Sequence, residues 1–260
     1  MRPVLLYTRP KQATSLVFDD IDVIDLPLLR LHCFGVDKLS CDDKDAMLAF
    51  MAGSFDVVVV VSTEAAYGAM RFLQTHNIHH ASELGYRRAP IFIAVGQATK
   101  DALAQFGFCA ITPDVMSNEG MLAMSEINGL NSQHRVLIWR GIGGRRVLHN
   151  ALVERGTDVR AIAWYQRQIP DELPSQYQQL ITTLPDGVPI FVLITSQLSL
   201  QAWTALPHRR PFVCLPLGNR LCRLTQAQCP NADIVQLNNL KAEHIHQAIT
   251  AYQKNTVNDE

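Results

Sequence analysis

The feature that most constrains this chain is a recurring unit: a short apolar run, a small or polar turn, then a stretch with helical spacing of apolar residues. Val4-Leu5-Leu6-Tyr7 runs into Thr8-Arg9-Pro10, and the valines from Val57 to Val61 run into Ser62-Thr63. Ile91–Val95 ends at Gly96, Val136–Trp139 at Arg140-Gly141, Ile190–Ile194 at Thr195-Ser196, and Phe212–Leu215 precedes Gly218. Continuous runs rich in branched residues suit strands covered on both faces, as in a parallel sheet. The stretches between them, such as 64–75 and 97–106, carry apolar residues at helical spacing. Strand, turn and helix in alternation predict an α/β fold with parallel, flavodoxin/Rossmann-like sheets.

The pattern also repeats. Residues 57–107 read as apolar run, Ser-Thr turn, helix, linker, apolar run ending at a glycine, helix; residues 190–229 read the same way. Thr195-Ser196 stands where Ser62 stands, and Gly218 where Gly96 stands. Two copies imply two similar domains, and 260 residues are enough for both cores. Two extended segments, 25–31 and 159–168, fit neither copy. A chain that leaves one domain, builds a second and returns needs two connecting strands. The expected division is therefore 1–35 with 169–260 as one discontinuous domain and 36–160 inserted as the other. Residues 25–35 and 159–168 would be the two antiparallel strands of the linker, a natural hinge.

A formal net charge of -1 argues against a nucleic-acid binder, which carries a basic surplus. It leaves room for an anionic small molecule held by a few arginines and backbone amides. Cys33, Cys41, Cys109, Cys214, Cys222 and Cys229 form no CxxC pair, so thiols in a reducing compartment are expected and neither a metal nor a disulfide framework. Arg9 and Lys11 interrupt the first apolar run, which gives no leader peptide, and no run is long enough to span a bilayer. A cytoplasmic protein with no membrane contact is the expectation. His76 and His80, and the pair His244 and His246, read as polar helix surface.

Several stretches carry a resemblance when taken in order: Leu5–Pro10, the valine strand into Ser62, and Ala94-Val95-Gly96-Gln97-Ala98-Thr99-Lys100-Asp101-Ala102-Leu103. Ser117-Asn118-Glu119-Gly120-Met121-Leu122 follows, then Val136–Gly141 with Gly144-Arg145 and Leu148, Arg155-Gly156, Val159–Tyr165, Thr195-Ser196 and Leu217-Gly218. Across nearly the whole chain this order resembles the uroporphyrinogen-III synthase family. The resemblance implies two similar α/β domains on a two-stranded linker, substrate held between them, and neither metal nor organic cofactor. It implies hydroxymethylbilane as substrate, a flexible linear tetrapyrrole with eight carboxylates and a terminal hydroxymethyl group. It leaves room for a transient contact with hydroxymethylbilane synthase, and a monomer is the simplest expectation.

In the implied reaction the hydroxyl leaves as water, and ring D attacks through its substituted carbon. A spiro intermediate then fragments and recloses with ring D inverted. Folding of the substrate chooses the product, so positioning should outweigh any single acid. Departure of the hydroxyl still needs a donor, and Tyr165 is the candidate, against the alternative of a packing tyrosine. Ser62 and Ser196, with the neighbouring Thr195, stand at equivalent turns, where they either cap a helix or donate to a carboxylate. Thr99 is a further hydroxyl candidate. In the second copy Leu221 departs from the family's usual threonine, leaving that contact to a neighbour such as Asn219. Arg9, Arg140 and Arg145 follow strand ends, where open α/β sheets place ligands; at least one is expected to be an ordinary surface arginine. Gly141-Ile142-Gly143-Gly144 reads as an anion-friendly turn, since Arg146 stands where a dinucleotide loop needs its third glycine.

Two rivals come from other classes. A hinged, non-catalytic two-domain binder of a small anion fits the composition and periodicity equally well. A nucleotide-dependent transferase is weakened by the incomplete glycine loop.

Overall fold

A computed structural model of the chain describes residues 1–10, 16–143 and 146–257. They form two compact units, Met1–Arg30 with Gln168–Glu260, and Leu31–Arg167. The first unit opens with β1 (Val4–Tyr7) and β2 (Asp22–Asp25). The chain then builds the second: β3 (Arg30–Cys33), α1 (Cys41–Met51), β4 (Val57–Val60), α2 (Thr63–Thr75), β5 (Ile91–Ala94), α3 (Gln97–Ala104) and β6 (Ala110–Ile111). Short helices α4 (Asn118–Ala123) and α5 (Ser125–Asn128) follow, then β7 (Arg135–Ile142), α6 (Val147–Glu154) and β8 (Asp158–Gln168). The first unit is completed by α7 (Leu173–Thr183), β9 (Ile190–Ile194), α8 (Gln197–Thr204), β10 (Val213–Pro216), α9 (Gly218–Gln228), β11 (Asp233–Ile234) and α10 (Ala242–Val257).

The sheets run β2-β1-β9-β10-β11 in the first unit and β3-β8-β7-β4-β5-β6 in the second. Pairing is parallel from β2 through β11 and from β8 through β6. Set side by side, β2-β1-β9-β10-β11 matches β8-β7-β4-β5-β6 strand for strand. The strands β1 and β2 come first in their unit, whereas β7 and β8 come last in theirs, so the two units are circular permutations of one another. The repeat legible in sequence covered two strands of each sheet; the short β6 and β11 lay just beyond it, and the permutation hid the other two.

The continuous valine run is explained by its surroundings. Val58 and Val60 enter a core with residues of α1, α2 and α3, while Val57 and Val59 enter another with α4, α5 and α6. All four are buried, each burial contributing about 1.5–3 kcal/mol. The first unit repeats the arrangement: Leu6, Val192 and Ile194 meet α7 and α8, whereas Leu5, Phe191 and Leu193 meet α10. Ser62 and Ser196 cap α2 and α8, accepting from Ala65 N at 3.2 Å and Ser199 N at 3.0 Å.

The segments expected to stand outside both sheets do not. Residues 158–168 are β8, paired with β7 from Arg135↔Asp158 to Ile142↔Gln166. Val159 and Ala161 face one core of the second unit, Ile162 and Trp164 the other, so this strand is held by side chains on both faces. Residues 25–35 divide: Asp25 ends β2, and β3 lies beside β8. Among the described residues no helix is long and apolar enough to cross a membrane.

Candidate active site

In the second unit a cavity of about 290 Å³ opens at the carboxyl ends of the strands, the ligand edge of an open parallel sheet. Its walls come from Val61 after β4, Val95 after β5, Ser117 and Asn118 at α4, Arg140–Ile142 closing β7, His149 on α6, and Tyr165 and Arg167 on β8.

Tyr165 is placed by an irregularity in the ladder. Arg140 pairs with Ala163 but Gly141 pairs with Tyr165, so β8 carries an extra residue at this point. The tyrosine ring consequently lies against Gly141. A Cβ at position 141 would sit 2.4 Å from Tyr165 Cζ, so any side chain there evicts the ring. Tyr165 is 3% exposed, and its hydroxyl bonds to no other group among the described residues. Arg167, two residues on and on the same strand face, holds its guanidinium 5.7 Å from the ring centre.

Arg140 is half-buried. Its Nε donates to Gly141 O at 3.0 Å, and no carboxylate pairs with it among the described residues. Burial, and then the neighbouring Arg146, depress its pKa, with Tyr165 acting in the opposite sense. An arginine stays charged regardless, so the site holds a cation whose environment favours an arriving anion. Arg146 Nη2 lies 3.2 Å from His149 Nε2, and His149 Nδ1 lies 3.2 Å from Asn150 Oδ1. A guanidinium can only donate, so Nε2 is the acceptor in that contact. Ser117 accepts from Gly120 N at 3.0 Å, and a Cβ at Gly120 would meet Val115 O at 1.9 Å, which accounts for glycine in that motif.

Of the residues expected from sequence, Arg140, Gly141 and Tyr165 converge on this cavity. Ser62 and Thr99 belong to the neighbouring turns of the same edge, Ser62 as the α2 cap and Thr99 buried in the first turn of α3. Ser62 caps through an oxygen lone pair and keeps its O–H free to donate, whereas the Ser196 O–H donates to Ser199 Oγ at 3.1 Å. Arg145 lies outside the described residues. The remaining candidates occupy the carboxyl edge of the first unit. Ile194 pairs with Pro216 as Val60 pairs with Ala94, so Ser196 matches Ser62, Gly218 matches Gly96, and Leu221 matches Thr99. Thr195 precedes the α8 cap. Gly218 N–H already donates to Leu237 O at 2.7 Å and is not available to a ligand. Asn219 Oδ1 accepts from Gln236 at 2.7 Å, which leaves its amide hydrogens as the useful donors. By the same registers Arg9 matches Arg140.

Sequence reasoning missed Arg167, His149 and Met116. Arg167 had a usable signal, the two-residue spacing from Tyr165. His149 and Met116 had none, because a helix and a loop bring them in.

The comparisons fit this geometry. The family model described as Uroporphyrinogen-III synthase HemD matches residues 19–214. No curated protein sequence matches the chain. Among solved structures, uroporphyrinogen-III synthetase from Helicobacter pylori 26695 is similar at a TM-score of 0.60 and 15% identity, covering 96% of this chain and 100% of that one. A mutant uroporphyrinogen III synthase from the extreme thermophile Thermus thermophilus is similar at 0.58 and 14% identity, covering 90% of each chain. At such identities these two structures speak for the fold, and the family model speaks for descent: the chain belongs to the uroporphyrinogen-III synthase family.

Proposed function

We propose that this chain cyclises hydroxymethylbilane to uroporphyrinogen III with loss of water and inversion of ring D, a cyclising lyase of tetrapyrrole biosynthesis. It works as a cytoplasmic monomer, meeting hydroxymethylbilane synthase only in passing. The observation that carries the reading is the Tyr165 constellation. An otherwise unengaged phenol is held over Gly141 in a cavity with cationic walls, inside a chain of this family.

Tyr165 Oη donates its proton to the departing hydroxyl, which leaves as water from the ring A methylene. The substituted carbon of ring D attacks the resulting cation. The spiro intermediate then fragments, and the freed arm closes on the other ring D carbon. Aromatisation of ring D releases one proton, which restores the phenol, so the balance is one substrate to one product and one water. Arg140, and Arg9 at the matching position of the first unit, neutralise carboxylates. Ser62, Thr99, Thr195, Ser196 and the Asn219 amide donate to others, and Gly141 and Gly218 leave room for the backbone to approach. Arg145, which follows the same strand end, is a further carboxylate partner. The family match does not favour the hinged binder, which needs no activated hydroxyl donor.

The test is the isomer produced. Hydroxymethylbilane is generated in situ with a deaminase, this protein is added, and the oxidised porphyrins are separated by chromatography. Mostly isomer III is expected. Isomer I alone, as without enzyme, would return the chain to the class of hinged binding proteins.

A further inference from the structure

The cavity of the second unit combines two features that no single simple ligand requires. Arg140 and Arg167 line it, and no aspartate or glutamate does among the described residues. On the same walls stand two apolar side chains exposed to solvent, Met116 at 66% and Ile142 at 50%. Met116 lies beside the start of α3: its Sδ is 3.1 Å from where a Cβ on Gly96 would be. Cations without a counter-charge point to an anion. Exposed apolar groups beside a buried tyrosine point to an apolar body that covers them. An inorganic anion would leave Met116 and Ile142 wet, and a neutral apolar ligand would bury uncompensated arginines. At about 290 Å³ the cavity is at the small end of ligand sites, too small for a whole linear tetrapyrrole.

We infer that the second unit carries a subsite for one carboxylate-bearing pyrrole ring. Arg140 and Arg167 take its acidic arms, while Met116 and Ile142 close on the ring beside Tyr165. The inference rests on the proposed synthase reading and sharpens it: one ring is gripped by this unit alone, and Met116 and Ile142 become specificity residues.

The experiment uses the full chain labelled with methyl-13C methionine, titrated with a monopyrrole bearing one acetate and one propionate arm. The dimethyl ester of the same pyrrole is the control. The Met116 methyl signal, assigned through Met116→Leu, is expected to shift and saturate with the diacid and to stay put with the diester. Met47 and Met70, buried in the core of the same unit, should not move. Arg167→Gln should weaken binding about tenfold, the scale of one charge-assisted hydrogen bond, and Ile142→Ser roughly threefold. Unmoved Met47 and Met70 signals would confirm that both variants fold. A Met116 signal that ignores the diacid, follows the diester equally, or is indifferent to Arg167→Gln overturns the subsite. Synthase activity is measured on the same wild-type sample. Isomer III without the Met116 response sinks the subsite and leaves the synthase; the response without isomer III does the reverse.

Discussion

The two units share one sheet and differ in what stands on its carboxyl edge. Both place a serine cap after the middle strand, a glycine after the next, and an arginine after the neighbouring one: Ser62, Gly96 and Arg140 in the second unit, Ser196, Gly218 and Arg9 in the first. These turns follow from topology, because strands ending together at helix starts leave donors unpaired wherever the fold occurs. Only the second unit adds the ladder irregularity that presses Tyr165 onto Gly141, and only there does Thr99 stand in the first turn where the first unit has Leu221. An anion-friendly edge came with the fold twice; a tyrosine was fitted to it once.

The sharpest way to break that comparison is Gly141→Val. Its Cβ would need the space of the Tyr165 ring, so turnover should fall by about 100-fold or more, with a stability loss of about 1–3 kcal/mol. Steady-state kinetics and thermal unfolding check both, and a variant with normal turnover would dismiss the constellation. Next comes the matched pair Arg140→Gln and Arg9→Gln. Both are half-buried, but Arg140 lines the cavity beside Tyr165, so Arg140→Gln should raise KM about tenfold against about threefold for Arg9→Gln, because an ionic contact strengthens inside a cavity that excludes water. Equal effects would mean that the two edges bind alike.

Where the units are the same, matched changes should cost the same. Ser62→Ala and Ser196→Ala should each lower stability by about 1 kcal/mol, measured by urea unfolding, since both hydroxyls cap a helix. A larger loss of activity from Ser62→Ala would locate an added substrate contact in the second unit. The smallest effect concerns acid. In the first unit His208 Nε2 donates to Trp203 O at 2.8 Å and Nδ1 accepts from the Tyr177 hydroxyl at 2.9 Å. Burial pushes its pKa below 6.5 and pushes that of Tyr177 up to about 12. The unfolded chain therefore takes up a proton before the folded one does. His208 contributes stability that is complete above about pH 6.5 and lost as pH falls toward its folded value. Amide exchange in α8 should accelerate between pH 7.5 and 5.5 more than in α2, after correction for the intrinsic rate, and His208→Gln should abolish the difference.

How much of this was legible in sequence depended on whether the signal was local. Runs such as Val57–Val61 announced strands covered on both faces, since only that environment tolerates unbroken valine. The serine and glycine turns were equally local, and so was Tyr165 through the resemblance of its strand. What stayed hidden was pairing. Residues 159–168 read as a connector because β8 mixes Arg160 and Gln166 with apolar residues, as a strand near a sheet margin does. The permutation separated β7 and β8 from the positions that β1 and β2 occupy. The cavity walls from Met116, His149 and Arg167 depend on a loop, a helix and a strand end that meet only in the folded unit.

In the proposed mechanism Tyr165 speeds the departure of the hydroxyl while the shape imposed on the substrate selects the isomer. The most direct test is a single-turnover reaction with enzyme in excess, comparing wild type with Tyr165→Phe for rate and for the ratio of isomers III and I. The expected result is a rate lower by about 100-fold, the low end of what one general acid contributes, with product affinity kept and isomer III still dominant in the enzyme-bound product. An unchanged rate would remove Tyr165 from the chemistry, and isomer I from the bound variant would show that the tyrosine, and not the fold of the substrate, decides the outcome.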